Sequence, residues 1–363
     1  MRVLFATSDP NHPAAVGDAL LARGYEWQVL SYSRPDEARE VLADLAADAV
    51  VVDLGLENAE ALLRHMLHTA PGTARMVLCA EGMSDIALRL LALTHGVLCA
   101  QDSIEETAER LIAHARLAQG LDRPQLRAAV GALTRLPGVP KLYLAINRAL
   151  DNPDVDVSDV TQLIMADPVV SGRVLQLANS ALFGGGRQIS TVSFAVSRLG
   201  LKTTRSLVLA SELYALGGAE AARADQVRQQ CLSASWLAPR LMAESVDPEV
   251  ASTAALLAGI GQMLPELLID NAEHQANVPP LEDEAAAYLL GLWQLPTILQ
   301  QAVAWQRTPR LSGGRFGVVG AVHVATALAF GRKVDEVWLE HCGMGLRLPG
   351  WRELADRMHR SAA

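Results

Sequence analysis

The run Asp167-Pro168-Val-Val-Ser-Gly-Arg-Val-Leu-Gln-Leu-Ala-Asn179-Ser180-Ala-Leu-Phe-Gly184, followed by Phe194-Ala-Val-Ser-Arg-Leu199-Gly200-Leu, decides the fold of the larger half of this chain. Asp167 suits an N-cap, because its carboxylate can accept from N–H groups left unpaired at a helix start, and Pro168 loses nothing at the first helical position. Val170, Val174, Leu177, Ala178 and Ala181 recur at helical spacing as one apolar face, and Gly184-Gly185-Gly186 stops the element. A second helix follows, capped by Ser190 or Thr191, with Val192, Ala195, Val196 and Leu199 as its buried stripe. Gly200 takes the left-handed turn that ends it. Asn179 and Ser180 close a largely apolar helix, so burial obliges them to bond neighbouring backbone; contact with a ligand is the competing reading.

Working outward, helices are expected near 141–151, 158–166, 168–182, 191–199, 203–216, 221–243, 248–259, 282–293, 296–305, 316–330 and 349–360. No strand alternation follows residue 136, so this half reads as all-helical. Together with Leu136-Pro137-Gly-Val-Pro140, Ile189-Ser190 and Ala195-Val-Ser-Arg-Leu199-Gly200, the opening run closely resembles the core signature of the HDOD family, the HD-related output domains of bacterial signalling proteins. The likeness continues more weakly to about residue 330. It implies an HDOD domain over 136–330 and a helical extension over 331–363, whose Trp351, Leu354 and Met358 share a face suited to its own domain or to a homodimer.

The relation to HD domains raises phosphoester hydrolysis, in which histidines and an adjacent His-Asp pair hold metals that activate water. Transferred position by position, the resemblance puts the ligand places at Gln230, Ala258, Gly259, Glu282, Gln306, Arg307 and Thr326. None is histidine, and the side chains of Ala258 and Gly259 offer no donor atom. The expectation is therefore no metal and no enzyme. Elsewhere, His65 and His68 share a helix face without a third ligand at suitable spacing, and His323 reads as a hydrogen-bonded core residue.

Residues 1–118 alternate apolar strands near 3–6, 27–30, 49–53, 75–79 and 97–100 with helices near 12–23, 35–46, 57–70, 83–94 and 104–118. Five such pairs imply a doubly wound α/β domain with a five-stranded parallel sheet, whose functional crevice lies at the carboxyl ends of the strands. This order resembles a response-regulator receiver domain, and Val50-Val-Val-Asp53-Leu matches the place of its phosphoacceptor. If the first and third strands are central, Asp9 and Asp53 approach each other. The pattern departs from receivers elsewhere: Thr7 and Ser8 stand where two acidic residues hold Mg²⁺, Cys79 replaces a hydroxyl residue, and Gln101 falls near the expected lysine. Magnesium needs hard oxygen ligands, so a degenerate receiver with at most weak Mg²⁺ affinity at Asp53 is expected. Phosphorylation at Asp53 is the alternative.

Gln119-Gly-Leu-Asp-Arg-Pro124 marks a boundary, and 119–135 is expected to be a linker with a connecting helix from Pro124 to about 136. The chain has 363 residues, half of them hydrophobic, and a net charge of −9, which argues against whole-surface attraction to nucleic acid or anionic membrane. One local exception is the set Arg187, Arg198, Lys202 and Arg205, a candidate basic surface near Asn179 and Ser180 for an acidic partner, a nucleotide or nucleic acid. Gly184-Gly-Gly186-Arg187 lacks the lysine and hydroxyl residue of a phosphate loop. The scattered Cys79, Cys99, Cys231 and Cys342 read as reduced thiols, and no run suits a membrane span, so a cytoplasmic location is expected.

These readings converge on a non-catalytic bacterial signalling regulator. Its degenerate receiver would control protein–protein interactions of the HDOD domain with signalling proteins such as sensor kinases or diguanylate-signalling enzymes. Phosphorylation through Asp53 and nucleotide or nucleic-acid binding through the basic set are the alternatives.

Overall fold

The protein is represented by a computed structural model that describes residues 1–80, 83, 86–87, 90–91, 93–120, 123–133, 145–146, 149, 155–180, 183, 188–211, 219–242, 248–264 and 279–362. The chain forms two compact units. One comprises Met1–Arg135 with Leu177–Arg187 and Gly291–Gln294; the other comprises Leu136–Gln176, Gln188–Leu290 and Leu295–Ala363. The helix expected over 141–151 lies largely outside the described residues, as does much of the one expected over 83–94.

The first unit contains strands β1 (Arg2–Ala6), β2 (Gln28–Tyr32), β3 (Ala49–Asp53), β4 (Ala74–Cys79) and β5 (Gly96–Cys99). They form one parallel sheet in the order β2-β1-β3-β4-β5. Among the described residues this unit also contains helices α1 (Asn11–Ala22), α2 (Pro35–Asp44), α3 (Ala59–Thr69), α4 (Ile104–Gly120) and α5 (Pro124–Gly131). Residues 49–52 are an unbroken run of Ala and Val, all buried, as a strand covered on both faces requires. Phe5, Val51, Met76 and Leu98 from four strands meet Val16, Leu20 and Leu111 from α1 and α4 in one core. The order reverses between β1 and β3, so the crevice at their carboxyl ends holds Thr7, Asp9 and Asp53.

A fully buried arginine anchors α5 to this unit. The Arg75 guanidinium donates to the carbonyls of Leu93 (2.8 Å) and Gly131 (2.5 Å), and its backbone N–H donates to His95 Nδ1 at 3.0 Å. Burial lowers its pKa to about 10, which leaves it cationic at neutral pH. Gly131 must be glycine, because a Cβ there would lie 2.0 Å from the Pro71 carbonyl oxygen. The connecting helix is accordingly shorter than the expected 124–136 element, ending where this docking contact forms.

The second unit is helical: α6 (Val157–Met165), α7 (Pro168–Ala178), α8 (Val192–Ser211), α9 (Ala219–Leu241), α10 (Pro248–Leu257), α11 (Leu281–Leu292), α12 (Thr297–Ala304), α13 (Val318–Ala329), α14 (Glu336–His341) and α15 (Leu348–Ala362). Helix α9 packs against α10 and α13, and Ala251, Ala254, Ala255, Ala321 and Ala325 are buried there. Gly200 adopts φ 71°, and α8 breaks at that point. Helix α7 stops earlier than the expected 182, because both the N–H and the hydroxyl of Ser180 turn back onto the Leu177 carbonyl at 3.0 and 2.6 Å. Helix α14 was not anticipated; Asp335 starts it by accepting the Trp338 N–H at 3.0 Å.

Asp167 ties α7 to α9. One carboxylate oxygen accepts from the N–H groups of Val169 (2.7 Å) and Val170 (3.1 Å), and the other accepts from Arg228 Nε at 2.9 Å. Asp167 is fully buried and the Arg228 side chain is 5% exposed, so neither charge tolerates loss of its partner. Burial pushes the Asp167 carboxyl upward, while Arg228 and the two N–H groups oppose it. Arg228→Ala should lower the unfolding free energy by about 3–5 kcal/mol in urea denaturation. A double Asp167→Asn, Arg228→Leu variant keeps the cap without a stranded charge and should lose markedly less. Equal losses would show that the ion pair is not what holds α7 to α9.

Candidate functional site

Positions 258, 282, 306 and 307, which the HD comparison singled out, converge in the helical unit. Ala258 follows α10, Glu282 lies in the first turn of α11, and Gln306 and Arg307 follow α12. At their centre is Asp283, 1% exposed and also in the first turn of α11, where free backbone N–H groups favour a carboxylate. Arg307 grips Asp283 with two parallel bonds, Nε to Oδ2 at 2.7 Å and Nη2 to Oδ1 at 2.9 Å, and Nη2 reaches Glu282 Oε1 at 2.6 Å. The Gln306 amide donates to the Ala258 carbonyl at 2.8 Å and to Asp283 Oδ1 at 3.0 Å, using both hydrogens. Burial pushes Asp283 up to about 6 against the pull of Arg307. Burial also works against the Arg307 charge, but Asp283 and Glu282 outweigh it and hold the guanidinium above its usual range.

His323 fixes the backbone beneath this cluster. Its Nδ1 lies 2.7 Å from the Gln306 carbonyl, and its Nε2 accepts the Asp335 N–H at 2.9 Å. The carbonyl can only accept, so Nδ1 carries the proton and Nε2 the lone pair. Burial holds this histidine below its usual range, which favours the neutral ring that both bonds need. The expected core role of His323 is thus what the structure contains. Thr326 turns its hydroxyl onto the Val322 carbonyl at 2.7 Å, and Gln230 is half-buried on α9. Gly259 has no room for a ligand: a Cβ there would lie 2.2 Å from Cys231 Sγ.

In the sheet unit, Asp53 ends β3 half-buried. Its carboxylate accepts from the Thr7 hydroxyl at 3.1 Å and the Gly55 N–H at 2.8 Å. Asp9 and Asp53 are linked through Thr7 and share no direct hydrogen bond among the described residues. The Asp9 carboxylate accepts the Asn11 N–H at 2.9 Å, and Thr7 joins the two residues by accepting the Asp9 N–H at 3.2 Å. This Asp9 contact closes a local turn onto the backbone two residues on, just ahead of α1. Cys79 is buried where receivers place a hydroxyl, and burial, with Asp53 nearby, raises its thiol.

Of the candidate surface, Asn179 is half-buried, Ser180 is buried and bonded to backbone, and Arg198 is exposed on α8. Arg187 and the side chains of Lys202 and Arg205 lie outside the described residues.

Residues 136–309 match the family model described as the HDOD domain. The helical unit contains an HDOD domain. An uncharacterized protein of Treponema pallidum is 28% identical over 268 residues, covering 67% of this chain; the chain spans about half the length of that curated relative. Among solved structures, the MmoQ response regulator of Methylococcus capsulatus is similar at 22% identity and a TM-score of 0.47, over 60% of this chain and 97% of its own. A virulence factor of Campylobacter jejuni is similar at 17% identity and 0.48, over 63% and 95% respectively.

A metal of the HD type does not fit the residues this HDOD domain brings together. The locus supplies an amide that already donates, a guanidinium, a carbonyl already bonded and two carboxylates already paired with Arg307. Among the described residues, no group of three or more His, Cys, Asp or Glu side chains is placed to hold a metal ion. Sequence reasoning missed Asp283, the residue on which the cluster turns. Its signal was the acidic run Glu282-Asp283-Glu284 at a helix start.

Acid should destabilise the domain through His323. Its folded pKa lies below the ordinary 6.5, so the unfolded chain binds the extra proton first. The His323 contribution is complete above about pH 6.5 and is lost as pH falls toward the folded value. Between pH 7 and 5, wild-type stability should fall more steeply than that of His323→Gln, by up to about 1.4 kcal/mol per pH unit in denaturant titrations. Parallel slopes would contradict the assignment.

Proposed function

We propose that this chain is a non-catalytic signalling regulator, whose receiver-like unit controls the interactions of its HDOD domain with other signalling proteins, sensor kinases and diguanylate-signalling enzymes being the expected class. The observation that carries this reading is the bidentate Arg307–Asp283 contact at the HD locus. A fixed guanidinium there supplies charge without an exchangeable coordination position, and hydrolysis by a bound metal requires such a position for water. The output would be a change in binding, which requires that the partner distinguish two conformations. No helix among the described residues is long and apolar enough to cross a membrane, which is compatible with the cytoplasmic partners this reading needs.

A photo-reactive residue at exposed Arg198 should crosslink, in cells, to a signalling enzyme, and the yield should change with the receiver's input. With purified protein and Mn²⁺ or Mg²⁺, bis(p-nitrophenyl) phosphate should not be turned over. Metal-dependent turnover abolished by Asp283→Asn would overturn the reading.

A second reading, phosphorylation at Asp53, is favoured by one observation: this carboxylate ends β3 at the switch point of the sheet, half-buried and not paired with a cation among the described residues. Thr7 in place of an acidic residue weighs against it, because it leaves the site short of the oxygen ligands that Mg²⁺ needs. Beryllofluoride with Mg²⁺ should leave the amide spectrum of residues 49–57 unshifted. Saturable shifts lost in Asp53→Asn would establish the phosphorylation reading instead.

A further inference from the structure

At the outer edge of the sheet unit, far along the strand order from β5, the turn Tyr25-Glu26-Trp27 leads from α1 into β2. The Tyr25 and Trp27 rings meet edge to face, with centroids 5.3 Å apart and planes at 65°. Together with Pro13, Leu21, Asp18 and Glu26 they line a cleft of about 390 Å³, within the range of small-ligand sites. Leu21 is 60% exposed, and Tyr25 and Trp27 are partly buried against the sheet core.

The two carboxylates decide the chemistry. Asp18 and Glu26 are exposed, and neither has a hydrogen bond or ion pair among the described residues. An anion would meet two like charges. A hard metal ion needs about six oxygen ligands, and aromatic walls supply few. A neutral apolar ligand would draw the carboxylates out of water with nothing in exchange. A primary ammonium can pair with the carboxylates, but it is strongly hydrated and would exchange part of that water for ring faces that offer few acceptors. The fuller match is a cation with an apolar skin, for which electron-rich ring faces and nearby negative charge are both favourable.

We propose that the α1–β2 cleft of this protein binds a small quaternary ammonium ion, with Tyr25 and Trp27 against its methyl groups and Asp18 and Glu26 supplying the countercharge. The inference is independent of whether the HDOD domain is catalytic. It adds a chemical input to the unit whose phosphoacceptor surroundings are degraded.

The test uses choline as the probe and 3,3-dimethylbutan-1-ol, its neutral isostere, as the control, with the full chain followed by the Trp27 indole N–H signal. Choline should shift that signal saturably, and the neutral isostere should bind at least about tenfold more weakly. The double variant Asp18→Asn, Glu26→Gln changes only exposed side chains, so it keeps the fold. It should weaken choline binding at least about fivefold. Trp27→Phe should retain part of the affinity and Trp27→Ala little; if Trp27→Ala unfolds, the carboxylate variant decides. Absence of saturation with choline, equal binding of the two probes, or unchanged affinity in the carboxylate variant would each overturn the proposal.

Discussion

A carboxylate placed in a helical interior must be neutralised, and the way Asp283 is neutralised sets the character of this HDOD domain. Helix dipole and burial pull in opposite directions at that position, the first favouring the charged form and the second disfavouring it. Arg307 settles the balance with two parallel bonds, and Glu282 shares the same guanidinium. Gln306 then spends both amide hydrogens on Asp283 and on the Ala258 carbonyl beyond α10. Three helices and one turn are thereby held by a cation that is part of the chain. The side-chain donors and acceptors gathered at this locus are committed to one another.

The same economy appears at the other buried charges. Asp167 serves as helix cap and ion-pair acceptor at once, which is why an aspartate rather than the serine or threonine of an ordinary cap occupies the position. Arg75 satisfies two backbone carbonyls where α5 meets the sheet unit, so backbone oxygens hold its buried guanidinium. His323 uses one ring nitrogen as donor and the other as acceptor, so its neutral form alone completes the clamp between Gln306 and Asp335. Each device ties separate elements together.

Much of the fold was legible because its signals are local. The run from Asp167 carries cap, first-turn proline, apolar stripe and stop, and the strand 49–53 carries three successive valines ending in Asp53. What sequence could not convey was pairing across distance. Nothing in Arg75 distinguishes a buried anchor from a solvated strand residue until Gly131 is seen against it, and nothing in Arg307 names Asp283 as its partner. The Thr7 hydroxyl that links Asp9 to Asp53 is of the same kind, since sequence spacing does not name it as the bridge. The end of α7 depended on a hydroxyl folding back onto Leu177, a choice that propensity alone does not make.

The central claim is that Arg307 stands where a metal's charge would stand. Paramagnetic broadening by Mn²⁺ of amide signals from Glu282, Asp283, Gln306 and His323, in wild type and in Arg307→Ala, tests it most directly. The account predicts that stoichiometric Mn²⁺ leaves the wild-type signals intact and broadens them only once the arginine is gone and two carboxylates are released. Selective broadening of these four residues in the wild-type protein would contradict it.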